Sequence, residues 1–424
     1  MESKAQLQQY VASIDQGTSS TRFMVFDVEG NAVANYQEEN VQMYPKPGHV
    51  EHDPIEMWQR TQNCIAGAMR VAKLERSQIA ALGITNQRET TIVWNKLTGV
   101  PYHNAIVWND DRTSSICEML SQRGGKDRLR AKTGLPIAPY FSASKLMWLL
   151  DVIPGLRQDA EDGLALFGTV DTWLIWNLTA GEVYVTDVTN ASRTLMMNIH
   201  SLDWDHDILT EFNIPRIMLP TIKVSSTHFG KVAASTFRSK SVPLAGLDDL
   251  AGVMIAGILG DQQAALFGQT CFSVGEAQCT YGTGAFLLMG TGNTCVTSTT
   301  GLLTTVAYQL EGADVCYALE GSVAYAGLLI QWLRDNLQII ESLGDSENVA
   351  GQVRCIQYEC NYLLLLSKSY YSMLCYAVLY ALFLIIAQWY TVILCCGVNL
   401  MSYGNVSRNC CCTKILHNDI ENQY

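Results

Sequence analysis

Three short runs carry the residue types from which phosphoryl chemistry can be built. Asp15-Gln-Gly17-Thr18-Ser19-Ser20-Thr-Arg22 lies between two strand-like stretches, where a turn can aim successive backbone N–H groups and hydroxyls at one point, as a phosphate cradle does. Gly17 allows close backbone approach, Thr18 and Ser19 can donate to phosphoryl oxygens, Arg22 can neutralise charge, and Asp15 can hold a hydrated magnesium ion. Asn86-Gln87-Arg88-Glu89-Thr90 follows the apolar run Ile79–Ile84. That places an Arg–Glu pair at the C-terminal end of a strand, where open α/β sheets bind ligands, and the pair can donate to and accept from the hydroxyls of a polyol. Gly260-Asp261-Gln262-Gln263 precedes an apolar helical segment, Ala264–Gln269. Asp261 there can accept the proton of an alcohol attacking a phosphoryl group, with Gln262 holding another hydroxyl.

Further along, Tyr281-Gly-Thr283-Gly284 forms a second glycine-bearing turn suited to phosphate contacts, and Gly327 and Gln331 fall one helical turn apart, so that the glycine can admit an adenosine which the glutamine reaches. Each run has a plainer role when taken alone: a polar hairpin at Asp15, a solvated ion pair at Arg88-Glu89, a helix cap at Asp261, helix packing at Gly327. His49-Val-Glu-His52-Asp53 and Asp203-Trp-Asp-His206-Asp207 lack spacing that closes a tetrahedral metal site and read as surface loops.

These runs need elements to hold them. Residues 10–36 alternate apolar and polar around turn signals at Gln16-Gly17 and Glu29-Gly30-Asn31, which predicts an antiparallel meander. Helical spacing over Pro54–Ala72, Thr113–Gln122 and Ser144–Leu150 alternates with strand-like runs at Ile79–Ile84 and Thr90–Trp94, the pattern of an α/β domain. Gln278–Tyr281, Ala285–Met289 and a helix from about Ala324 to Leu337 repeat the opening in outline, as the start of a second, related domain. The domain boundaries read 8–269, 270–350 and 351–424.

A chain of 424 residues exceeds one usual hydrophobic core, so two domains with a ligand cleft between them are expected. A net charge of −12 with no basic run argues against a nucleic-acid partner. The first ten residues carry no apolar leader pattern, and residence in the cytoplasm is the expectation. Of 14 cysteines, eight follow residue 350, and the scattered remainder read as buried small hydrophobes in a reducing compartment. From Ser369 to Ser407 no residue is charged, and Met373–Cys396 is almost wholly apolar, long enough to span a bilayer.

In their order, these runs resemble the glycerol kinases of the FGGY carbohydrate kinase family. The resemblance extends to Tyr44-Pro-Lys-Pro-Gly-His-Val-Glu-His-Asp53, Gly83-Ile-Thr-Asn-Gln-Arg-Glu-Thr-Thr-Ile-Val-Trp94, Phe167-Gly-Thr-Val-Asp-Thr-Trp-Leu-Ile-Trp176, Thr186-Asp-Val-Thr-Asn-Ala-Ser-Arg-Thr194 and Gly260-Asp-Gln-Gln-Ala-Ala-Leu-Phe-Gly268. It implies two actin-like, ribonuclease-H-like domains closing over a cleft, and ATP- and Mg2+-dependent transfer of the γ-phosphoryl group to glycerol. By that resemblance Arg88, Glu89, Tyr140, Asp261 and Gln262 hold glycerol, with Asp261 as base. Thr18, Ser19, Ser20 and Arg22 face the phosphates, Thr283, Gly327 and Gln331 the nucleotide, and Asp15 and Asp261 the metal. A pentulose or hexulose kinase and a non-catalytic glycerol binder are the alternatives.

Two departures accompany the resemblance. Leu247–Gly257 reads as an eleven-residue insertion immediately before the proposed base. After Ala350 no further family segment is legible, so the second domain is expected to be incomplete. A translated intron or shifted frame is the leading account of that tail, ahead of a membrane segment or a substitute core; self-association is left open.

Overall fold

The computed structural model describes residues 9–234, 247–346 and 349. Strands β1 (Tyr10–Gln16), β2 (Ser20–Phe26) and β3 (Ala32–Glu39) form the expected meander, with Ile14 opposite Phe23 and Phe23 opposite Tyr36. Side chains alternate across a strand. Accordingly Ala12, Ile14 and Gln16 share the buried face of β1 while Val11 is exposed.

Helix α1 (Pro54–Ala72) has the bounds its spacing predicts. Asp53 caps it, accepting from the N–H of Ile55 at 2.8 Å, and Pro54 occupies the first turn, where its missing N–H is no loss. Met57, Trp58, Thr61, Cys64, Ile65 and Ala68 make the buried stripe, three and four residues apart as a helix face requires. Lys73 closes the helix in the left-handed conformation at φ 53°.

Strand β4 (Ile79–Asn86) runs parallel to β1, with Ile84 opposite Ile14 and Asn86 opposite Gln16. Helices α2 (Ser142–Val152) and α3 (Val170–Leu178) follow. Strands β5 (Ser226–Lys231) and β6 (Met254–Gly260) then complete a six-stranded sheet in the order β5-β6-β4-β1-β2-β3. α1 and α3 supply Trp58, Ile65, Trp173 and Leu174 to the core that also contains Ile14, Phe23, Leu82, Ile84, Ile255 and Ile258 of this sheet. A second core gathers Leu146 and Leu149 of α2 with Phe167, Leu209 and Phe212.

β6 corrects the insertion reading. Met254–Gly257 is part of a central strand paired in parallel to β4, from Met254 opposite Ala81 to Gly260 opposite Asn86. The sheet therefore uses Met254–Gly260 as the strand leading to Asp261. Helix α4 (Asp261–Gly268) follows without interruption.

Strands β7 (Ala277–Tyr281), β8 (Ala285–Gly292), β9 (Leu303–Tyr308) and β10 (Cys316–Val323) form a four-stranded sheet in the order β7-β8-β10-β9, followed by α5 (Gly327–Asp335). α5 begins three residues later than its apolar spacing suggests because Ala326 and Gly327 donate their N–H groups to the carbonyls of Thr283 and Gly282, fixing the chain as a turn there. The described residues fall into two compact units, one of 9–278 with 288–320 and one of 279–287 with those that follow 320.

The two discounted clusters are not surface loops throughout. Glu51 and His52 form a buried strand pair with Ile106 and Ala105, and burial pushes His52 down to about 4. Asp205 caps the helix His206–Glu211. Among the described residues no cluster of His, Cys, Asp or Glu gathers to hold a metal ion. Cys64 and Cys117 are buried as expected, whereas Cys271, Cys279, Cys295 and Cys316 are only half-buried. Among the described residues no helix is long and apolar enough to cross a membrane; the apolar stretch 373–396 lies outside them.

Because the Asp53 carboxylate satisfies an N–H of the first turn of α1, Asp53→Ala is expected to lower stability by about 1 kcal/mol. Denaturant titration of the purified chain measures this, and an unchanged midpoint would remove the cap from the account.

Candidate active site

Strands β1, β4 and β6 are adjacent and parallel, and their last residues, Gln16, Asn86 and Gly260, lie side by side. The three runs singled out in the sequence therefore emerge at one edge of one sheet, the edge at which open α/β sheets bind ligands. Buried amides tie the edge together. Asn86 exchanges hydrogen bonds with Asn190 at 2.9 and 3.2 Å, Gln87 Nε2 donates to Gln16 Oε1 and to the Gly17 carbonyl, and the Gly260 N–H donates to Thr189 Oγ1 at 2.9 Å.

Beyond β4 the chain turns sharply. The Thr90 N–H bonds back to the Arg88 carbonyl at 2.7 Å, and Glu89 sits at φ 60°, a conformation that costs a non-glycine residue on the order of 1 kcal/mol or more. Glu89 is held there by Arg193, whose Nε donates to Oε1 at 2.7 Å. Arg88 is fully buried and its guanidinium is divided. Nη1 and Nη2 donate to Oε2 and Oε1 of Glu320 at 2.5 and 3.1 Å, while Nε lies 3.3 Å from Asp261 Oδ1. Arg193 Nη2 donates to the other side of Glu320 Oε1 at 3.0 Å. Four buried charges thus alternate: Glu89, Arg193, Glu320, Arg88.

Asp261 ends this chain. It is the first residue of α4 rather than its cap, which is Gly260, and its Oδ1 accepts the N–H of Gln262 at 2.8 Å. A third of its side chain remains open, so the carboxyl faces a recess with protein on its other sides. Burial raises it to about 7 against the pull of Arg88, with the charges of Glu89 and Asp15 adding to the rise. Gly260 is needed here, since a Cβ would lie 2.8 Å from Arg88 Cγ and Cδ and 2.9 Å from Gln263 Oε1. Gln263 also receives Arg88 Nη1 at 3.3 Å and donates to Thr305 Oγ1 and the Val306 carbonyl. The Gln262 side-chain carbonyl accepts from Gln278 at 3.2 Å.

Tyr140 completes the recess. Its ring lies 5.8 Å from that of Trp108 and under the Arg193 guanidinium at 5.6 Å. Among the described residues both Tyr140 Oη and Arg193 Nη1 are buried with no hydrogen-bond partner, a state that suits them to hydroxyls of a ligand. The backbone carrying Tyr140 is clamped by Lys145, whose Nζ donates to the carbonyls of Pro139 and Tyr140 at 2.8 and 2.6 Å; burial pulls that ammonium down to about 8.

At the β1–β2 turn the Gly17 N–H bonds to the Ser20 carbonyl at 2.9 Å. Trp108 Nε1 donates to Thr18 Oγ1 at 2.8 Å, and Asn40 Nδ2 to the Gly17 carbonyl at 2.8 Å. Arg22 pairs with Asp15 at 3.3 Å, yet burial still holds the Asp15 carboxyl above its ordinary range. Ser19 is exposed and Ser20 half-buried. In the second unit Thr283 and Gly327 meet at the turn before α5: a Cβ at Gly327 would sit 2.6 Å from the Gly282 carbonyl, so packing against the turn by itself demands this glycine. Gln331 is exposed one turn further along α5.

The model for the N-terminal domain of the FGGY family of carbohydrate kinases matches residues 10–268, and that for the C-terminal domain residues 277–383. The chain belongs to the FGGY family of carbohydrate kinases. The second match runs past Ala350, where the sequence reading had the family pattern stop. The chain is 56% identical over 348 residues to a glycerol kinase of Brucella anthropi and 55% identical over 347 residues to one of Roseiflexus sp., covering 81% of this chain and 67% of each of those proteins. Among solved structures, Plasmodium falciparum glycerol kinase with ADP aligns at a TM-score of 0.73 and 40% identity, over 82% of this chain and 67% of that one. A xylulose kinase from Lactobacillus acidophilus aligns at 0.69 with 23% identity, which speaks for the shared family fold of two actin-like domains.

Arg193 and Glu320 escaped the reading of residue types. Arg193 lies inside a run that carries the family resemblance, and Glu320 is a lone carboxylate in the apolar strand pattern Cys316-Tyr-Ala-Leu-Glu-Gly. A charge at a buried strand position is the signal that could have found it.

Gly260→Ala is expected to push Arg88 off the β6–α4 junction and destabilise the fold by roughly 1–3 kcal/mol, as overpacking does. A thermal melt equal to that of the parent would show that the junction has slack.

Proposed function

We propose that this chain phosphorylates glycerol, transferring the γ-phosphoryl group of ATP to a terminal hydroxyl to give sn-glycerol 3-phosphate and ADP. The observation that carries the reading is the recess of Arg88, Glu89, Tyr140 and Asp261. With Arg193 beside it, the recess offers two guanidiniums, a phenol with no hydrogen-bond partner among the described residues and a carboxyl at about 7 to a small polyol, in a chain 56% and 55% identical to two glycerol kinases over 348 and 347 residues.

In this reading Arg88 and Arg193 donate to glycerol oxygens, Glu89 and Tyr140 fix the hydroxyl pattern, and Gln262 borders the site. Asp261 accepts the proton of the terminal hydroxyl as its oxygen bonds to the γ-phosphorus and the bond from that phosphorus to the β–γ bridging oxygen breaks. A carboxyl near 7 suits this task, because a base close to the working pH combines availability with proton affinity. Thr18, Ser19, Ser20 and Arg22 border the transferred phosphoryl group, and Thr283, Gly327 and Gln331 the nucleotide.

Mg2+ fits the same edge. Asp15 and Asp261 are carboxyls held high by burial, each with a single guanidinium against it, and a hydrated hard cation takes such oxygens together with phosphates and water. Bound there it would supply charge neutralisation to the phosphate oxygens. Residence in the cytosol, where ATP and glycerol meet, belongs to the same reading.

The alternative reading is a glycerol binder that does not transfer a phosphoryl group. The residues proposed for glycerol all lie in the first unit, which can take up glycerol without transferring a phosphoryl group.

Coupled phosphorylation of glycerol with magnesium–ATP tests both. Turnover is expected to rise with pH as Asp261 loses its proton, with the acid limb near about 7. Asp261→Asn is expected to cost roughly 100- to 10,000-fold, the usual contribution of a general base, and to abolish that limb. Full activity in the variant would exclude Asp261 as the base; absent turnover with calorimetric glycerol uptake would establish the second reading.

A further inference from the structure

We propose that Glu320 is a positioning residue of this site: it fixes the guanidiniums of Arg88 and Arg193 in the plane and place from which they meet the substrate hydroxyls. The proposal rests on the glycerol reading above.

Glu320 is completely buried in β10, opposite Leu303 of β9. Its oxygens are occupied by two arginines: Oε2 takes Arg88 Nη1, and Oε1 takes Arg88 Nη2 and Arg193 Nη2. The two arginines overcome the effect of burial and hold its carboxyl below the ordinary range. A bidentate carboxylate fixes the plane of a guanidinium as well as its place. With two of its nitrogens so fixed, Arg88 brings Nε to 3.3 Å from Asp261 Oδ1, and Arg193 Nη1 is buried with no hydrogen-bond partner among the described residues.

Removal of the Glu320 carboxylate takes the acceptor from Arg88 Nη1 and Nη2 and from Arg193 Nη2 together, so both guanidiniums lose the contact that sets their plane and direction.

The test compares the parent chain with Glu320→Gln and Glu320→Asp in glycerol turnover, read as KM and kcat separately, with melting curves for each. Glu320→Gln is expected to raise the KM for glycerol roughly 10-fold or more, the scale of a lost charged hydrogen bond, with a smaller change in kcat. Glu320→Asp keeps the charge but withdraws the carboxylate, so it is expected to raise KM by a smaller factor. A merely structural residue would lower the melting temperature of both variants and leave KM unchanged, which would overturn the proposal. Should Glu320→Gln fail to fold, an unchanged KM in Glu320→Asp overturns it equally. If the parent itself does not turn over glycerol, the functional reading fails separately, and glycerol affinity by calorimetry replaces KM.

Discussion

The site depends on four charges being buried together in alternation, Glu89, Arg193, Glu320 and Arg88. Each of these ions alone would cost several kcal/mol to remove from water. Joined at 2.5 to 3.1 Å with their hydrogen-bonding capacity largely used, they compensate one another, and loss of any member leaves its neighbour buried and unpaired. The fold is arranged to bring them together from distant parts of the chain: the end of β4, the segment after the helical turn Val188–Ala191, and β10. The parallel register of β1, β4 and β6 supplies the platform, and the cores on its faces hold that register.

Local strain follows from the same constraint. Glu89 adopts a left-handed conformation because the chain must reverse immediately after Arg88 while both side chains enter the recess. The charge contact with Arg193 offsets that strain. Gly260 is a matching concession, an absent side chain through which Arg88 crosses to reach Asp261. Gln263 then bridges Arg88 to β9, so the Gly-Asp-Gln-Gln run serves the architecture of the site at three of its four positions.

Much of this was legible in the sequence, for identifiable reasons. The meander and α1 follow from short-range rules, period-two alternation and a Pro-led, Asp-capped amphipathic stripe, and both form where those rules place them. Arg88 and Glu89 could be placed at a strand end because the apolar run Ile79–Ile84 precedes them, and Asp261 near a helix start because an apolar helical segment follows it. What was hidden depends on long-range pairing. Glu320 acquires meaning only when β10 delivers it to arginines 232 and 127 residues away. The insertion was misjudged because Val242-Pro-Leu-Ala-Gly and Val253-Met-Ile-Ala-Gly are alternative apolar leads to Asp261 in sequence, and pairing with β4 is what selects the second.

Burial is the main cause of the poise of Asp261, and the charges around it modulate that effect. Two carboxylates and two guanidiniums already balance, and Asp261 enters as a third acid. Arg88 favours its ionisation while Glu89 and Asp15 oppose it, and its proton is retained to about 7. The same balance bears on the ligand. Among the described residues the charges of the alternating set cancel, while Arg193 Nη1 and Tyr140 Oη have no hydrogen-bond partner. An uncharged polyol, which brings hydrogen bonds and no net charge, is the chemistry that such a recess accepts.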